Sequence, residues 1–143
     1  MMATLMVHEV IGQAEKAKSK KDKIEILKKN ESWALKDILR GTYDSKVKWN
    51  LPKGKPPYTP NDGQHNAPSN LLKRNVDFKY FVEGGPGAEL PSYKRESIFV
   101  GLIEAVAPED ALLVISMINK EPLKGLTRKV VEEAFPGLLQ DNP

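Results

Sequence analysis

Apolar residues spaced three and four apart recur through most of the chain, and that period admits one kind of element, the amphipathic helix. Val7, Val10, Ile11, Ala14 and Ala17 mark a first helix that ends near Lys18. Ser19 can cap a second, with Ile24, Ile26 and Leu27 turned inward. Asn30 or Ser32 opens a third, through Trp33, Leu35, Ile38, Leu39 and Tyr43, with Gly41 near its end. Ser69 can cap a fourth over residues 71–82, with Leu72, Val76, Tyr80 and Phe81 inside, and Gly84-Gly85-Pro86-Gly87 breaks it. Residues 95–106 place Ile98, Phe99, Leu102, Ile103 and Val106 at helical spacing. Pro108 suits a first helical turn, where Glu109 and Asp110 complement the dipole, and that helix reaches about Asn119. Thr127 caps a last helix over residues 128–135, which Pro136-Gly137 stops. No segment alternates long enough to demand a sheet, and none repeats another. The fold class expected is all-α: one compact multi-helix domain, residues 1–143, with about six or seven helices.

The centre obeys a different rule. Residues 46–68 contain Pro52, Pro56, Pro57, Pro60 and Pro68 with Gly54 and Gly63. Proline removes a backbone donor and restricts its preceding neighbour, so a long loop within the domain is expected. Lys46, Lys48, Lys53 and Lys55 share this stretch with Trp49 and Tyr58. Long loops inside small domains are uncommon and are often functional; the plainer account is an ordered connection whose aromatics pack on the helices.

A length of 143 residues can bury a real core without staples. The chain has no cysteine, which excludes a disulfide framework, a thiolate metal site and a cysteine nucleophile. Two histidines, His8 and His65, leave little for a metal centre, and no metal or other cofactor is expected. The longest apolar run, residues 111–117, is far short of the ~20 a membrane span needs. The N-terminus meets His8 and Glu9 too early for a signal peptide, so a soluble cytoplasmic protein with no membrane role is expected. Charge is uneven: residues 1–60 hold 13 basic against 7 acidic side chains, and residues 61–143 hold 9 against 12. Seven lysines fall within residues 16–29, among them Lys20, Lys21, Lys23, Lys28 and Lys29. Such asymmetry suits a surface that meets a polyanion, although Glu15, Asp22 and Glu25 could turn the same face into a salt-bridged helix.

No catalytic constellation stands at a recognisable spacing. Asp62-Gly63 lacks the preceding lysine that nucleotidyl transfer requires, and Gly84–Gly87 follows a helix rather than opening a phosphate-binding loop. Glu109-Asp110 and Glu132-Glu133 sit where helix ends and solvated faces put acidic residues. The run Lys124-Gly125-Leu126-Thr127-Arg128-Lys129 is more informative. Its capped helix start offers free N–H groups, with three cations beside them and a glycine that admits close approach, which together describe a phosphate site. Structurally it could equally be a capped last helix with incidental charge.

These blocks resemble the N-terminal DNA-binding domain of ATP-dependent DNA ligases from T-even-type phages. The likeness rests on Leu123, Lys124, Gly125, Thr127, Phe135, Pro136, Gly137 and Leu138, on residues 19–30, and on residues 35–39 followed by Thr42-Tyr43-Asp44-Ser45. It covers about two-thirds of the chain by position; residues 60–93 do not match. The resemblance implies an all-helical, phage-encoded domain that grips duplex DNA in the host cytoplasm through its backbone, with little sequence readout. Lys124 stands where many of those ligases have arginine, and no adenylation or oligonucleotide-binding domain follows within these residues, so ligation is not expected. The DNA contacts expected are Lys20, Lys21, Lys23, Lys28, Lys29, Lys46, Lys48, Lys53 and Lys55 in one patch, and Lys124, Gly125, Thr127, Arg128 and Lys129 in a second. The alternative is an adaptor that reuses this fold to bind a replication or transcription protein, which the acidic second part of the chain favours.

Overall fold

Val7, Val10, Ile11 and Ala14 do fall on one buried stripe, because they line the inner face of α1 (Val7–Lys16). The computed structural model describes residues 5–63 and 67–140; His65 and both chain ends lie outside the described residues. Six further helices follow: α2 (Lys20–Lys29), α3 (Trp33–Tyr43), α4 (Leu71–Arg74), α5 (Ser92–Ala105), α6 (Pro108–Ile118) and α7 (Arg128–Ala134). The domain is compact and all-helical, and its described residues contain no strand, only the isolated bridges Trp49–Val82 and Ser69–Val106. The most apolar run becomes the central element. α6 packs on α1, α3 and α5, and buries Ala111, Val114, Met117 and Ile118. A helix covered on most sides can be apolar on most sides, and only Leu112 on it is a large exposed apolar residue.

Side-chain caps set the boundaries. Ser19 Oγ accepts from the Asp22 N–H, Ser32 Oγ from Leu35 and Thr127 Oγ1 from Val130, each satisfying an end donor that the helix cannot pair. Pro108 occupies the first turn of α6. The fourth cap is Asn70 rather than Ser69: Asn70 Oδ1 accepts from the Leu72 N–H, while the Ser69 N–H is bound to the Ala105 carbonyl at 2.7 Å.

Residues 71–82 depart from the expected helix. After α4 the chain tightens into a 3₁₀ helix over Asn75–Tyr80. Three residues per turn bring positions 75, 78 and 81 onto one side, and Asn75, Phe78 and Phe81 are the buried ones. Val76, expected inside, is exposed. Trp33 is likewise exposed, because the buried stripe of α3 runs through Ala34, Leu35, Ile38, Leu39 and Thr42 and leaves position 33 off it.

Helix α5 begins at Ser92, three residues before the expected start. This places Arg95 inside the domain, 7% exposed. Its guanidinium donates to the carbonyls of Asn50 (2.8 Å), Leu90 (2.9 Å) and Gly87 (3.2 Å), and so ties α5 to the segments before and after the 3₁₀ turn. The described residues between α3 and α4 carry no helix. They are fastened by Asn50 N–H to Phe81 O, Glu83 N–H to Lys48 O, Gly54 N–H to Asn119 Oδ1 and Thr59 N–H to Glu104 Oε2.

Candidate nucleic-acid interface

The lysines of α2 divide into two sets. Lys23 Nζ donates to the Ala14 and Glu15 carbonyls, both at 3.1 Å, and thereby caps the C-terminus of α1. Lys20 pairs with Glu133 of α7 at 2.9 Å. Those two hold α2 against its neighbours. Lys21, Lys28 and Lys29 are exposed and form no ion pair among the described residues.

The 124–129 run joins this same region rather than forming a separate patch. Gly125 has φ +81°, and a Cβ there would lie 3.0 Å from the Glu15 carbonyl oxygen. Its glycine is therefore required by the left-handed turn and by contact with α1. Burial pushes the Glu15 carboxyl above its usual pKa, while the Lys23 ammonium and the backbone N–H and charge of Lys124 partly offset that rise. Arg128 turns from the helix start: its Nη1 donates to the Tyr43 carbonyl at 2.9 Å, and its Nε lies 3.7 Å from Glu132 Oε2. Lys124, Thr127 and Lys129 remain exposed at the outer surface.

Tyr43 links this region to the end of α3. Its hydroxyl accepts from the Leu123 N–H at 2.9 Å and donates to the Leu126 carbonyl. Burial is the main cause of its raised pKa. Next to it, Asp44 is fully buried. Its carboxylate accepts from the Lys46 and Gln140 N–H groups, and its carbonyl accepts from Lys120 Nζ at 2.7 Å. Lys46, Lys48, Lys53 and Lys55 are all exposed beyond this hub. Lys48 and Lys53 border a hollow of about 460 Å³ with Tyr43 and Lys120, and Lys55 lies 5.7 Å over the Tyr58 ring.

A groove that the sequence reading passed over lies between α3 and the 3₁₀ helix. Trp33, Asp37, Trp49, Asn75, Val76 and Phe78 line it, Trp33 and Val76 exposed and Asn75 and Phe78 buried. Asp37 Oδ2 accepts from Asn75 Nδ2 at 2.7 Å. Burial holds the Asp37 carboxyl above its ordinary pKa, against the opposing pull of that bond and of Arg40. The available signal was positional: Trp33, Asp37, Arg40 and Gly41 follow each other at helical spacing beside the core stripe.

Among the described residues no helix is long and apolar enough to cross a membrane, and no three His, Asp or Glu side chains are grouped to hold a metal ion. The fold and these surfaces define an all-helical domain whose exposed lysines flank α2 and the end of α3. The chain belongs to a family of unknown function (DUF6433), whose model matches residues 10–124 and stops before α7. No curated protein matches the chain.

Proposed function

We propose that this chain is a non-catalytic protein that grips the phosphate backbone of duplex DNA with little sequence readout. The observation that carries the reading is the set Lys21, Lys28, Lys29, Lys46, Lys48 and Lys53, exposed and without ion pairs among the described residues. Ammonium groups not already paired can neutralise phosphates and release counterions, which is the main source of sequence-independent affinity. The likeness of the 19–45 and 123–138 blocks to phage ligase DNA-binding domains points the same way, and it implies a phage-encoded protein that acts in the host cytoplasm. Lys20 and Lys23 contribute to this surface only after meeting their protein partners, and Arg128 is a positioning residue for the loop rather than a phosphate contact.

If about five phosphates are neutralised, log K should fall against log salt with a slope of about −4.5. Fluorescence anisotropy with intact duplex, nicked duplex and single strand across a salt series measures it. Replacing Lys21, Lys28 and Lys29 by alanine should flatten that slope by about two to three units and leave the fold intact. No binding at about 50 mM salt, or a flat salt response, would remove the DNA reading. The adaptor reading would then stand, favoured by one specific observation: Trp33 and Val76 are large, exposed and beside the same groove.

A further inference from the structure

The groove between α3 and the 3₁₀ helix encloses about 470 Å³, within the roughly 300–1,000 Å³ range of small-ligand sites. Its chemistry is unusual for an apolar depression. Trp33 is 76% exposed, and with Lys36 Nζ 5.0 Å over its ring it offers its other face for stacking. Trp49 forms a fixed wall, its Nε1–H bound to the Gly41 carbonyl at 3.0 Å and its ring edge-on to Phe78. Between these walls Asp37 is half-buried; Asn75 engages its Oδ2, and Oδ1 makes no hydrogen bond among the described residues. Lys79 also lines the groove, without an ion pair among the described residues; Arg40 lines it too, with its Nε 3.5 Å from the buried Asp44 Oδ2.

We propose that this groove binds the guanine base of an unpaired nucleotide, with Asp37 accepting its adjacent N–H donors, Trp33 stacking on its face, and Lys79 meeting its phosphate. Three complementarities select that ligand. The Asp37 carboxylate keeps Oδ1 and the second lone pair of Oδ2 beyond its bond from Asn75, so it can meet two neighbouring donors. Guanine carries N1–H beside its 2-amino group. Adenine and cytosine put an acceptor next to their amino group, and thymine flanks its one N–H with carbonyls. Unpaired bases are recognised by stacking on aromatics together with hydrogen bonds to the Watson–Crick edge. Lys79 then favours a ligand whose far end is anionic. A lysine or arginine from a peptide would satisfy Asp37 but would face Lys79, and an acidic or apolar peptide would leave the half-buried carboxylate without a donor.

The inference rests on the DNA reading only where the base arrives on a strand, and the experiment separates the two. Anisotropy would compare single-stranded oligothymidylate carrying one central guanine, one hypoxanthine or one adenine, alongside fully paired duplex and free guanosine monophosphate. Guanine should bind roughly tenfold or more tightly than adenine, with hypoxanthine, which lacks the 2-amino group, in between. Asp37→Asn should bring the guanine-to-adenine ratio to about one, and Trp33→Ala should weaken all single strands by roughly tenfold. Both changes should leave duplex affinity and its salt slope unaltered. Trp33 is exposed and asparagine can keep the bond to Asn75, so melting by circular dichroism should find both variants folded. Duplex binding without guanine preference overturns this proposal and spares the DNA reading. Guanine preference without duplex binding does the reverse. Tight binding of the free nucleotide identifies it as the ligand source, and binding of the strand alone identifies nucleic acid. A guanine preference that survives Asp37→Asn overturns the assignment.

Discussion

Replacing Arg95 by methionine tests how much the fold depends on a buried cation with no carboxylate partner among the described residues. Methionine fills a similar volume, so the change removes hydrogen bonds more than packing. The Gly87 carbonyl keeps its bond from the Leu90 N–H at 3.1 Å, whereas the Asn50 and Leu90 carbonyls lose the guanidinium, at 2.8 and 2.9 Å. An orphaned buried acceptor costs about 1–3 kcal/mol, so two cost about 2–6. Relief from burying the guanidinium works the other way. The expected net loss is about 3 kcal/mol, a large share of the ~5–15 kcal/mol by which a domain is usually stable. Urea unfolding followed by circular dichroism measures it. Hydrogen exchange should show the Asn50 and Glu83 amides losing protection first, since their partners belong to the segment that Arg95 fastens. Lysine should not rescue, because one ammonium cannot meet three carbonyls arranged around a planar fork. A loss below about 1 kcal/mol, or full rescue by lysine, would refute the reasoning.

Other outcomes follow from the same contacts. Tyr43→Phe should destabilise by about 1–2 kcal/mol, because the Leu123 N–H and Leu126 carbonyl both lose their partner; exchange of the 121–126 amides should rise. Gly41→Ala should destabilise by about 1 kcal/mol despite alanine's better helix propensity, because its Cβ would stand 2.5 Å from Trp49 and 2.7 Å from Met117 Sδ; a higher melting temperature would contradict the packing described. Burial holds Asp37 and Glu15 above their usual pKa, so the folded chain binds those protons more tightly than the unfolded one. Their contribution to stability therefore rises as pH falls from neutral toward the window just above the ordinary values of 3.8 and 4.5. Asp37→Asn should raise the neutral-pH urea midpoint and flatten that part of the pH profile. Incubation with ATP and magnesium should give no covalent nucleotide adduct by intact mass, since no lysine precedes an x-Asp-Gly sequence.

The helical period was legible wherever propensity and packing agreed. Ser19, Ser32 and Thr127 announced their helices, and the 111–117 run announced the centre of the core. The misreadings at Val76 and Trp33 share a cause: a period fixes relative phase, while only the neighbours decide which side faces in. At the surface, the lysines were visible but their partners were not. Lys23 meets carbonyls of α1, and Arg128 meets a carbonyl 85 positions away. Carbonyl acceptors carry no signature in a sequence, so Arg95 drew no notice and Arg128 read as a phosphate contact.

The 3₁₀ segment Asn75–Tyr80 sets two kinds of order against each other. Rewinding it as α-helix would turn position 78 by about 60° and position 81 by about 120° relative to position 75. Phe81, now fully buried and edge-on to Phe99, would swing out of the core. Substitutions here that improve local helicity, such as alanine at Val76 or Asp77, thus push toward a winding the core rejects. In this short stretch a gain in helix is a loss of fold, so sequences able to occupy it are filtered for moderate helix propensity as well as for the two phenylalanines they must deliver.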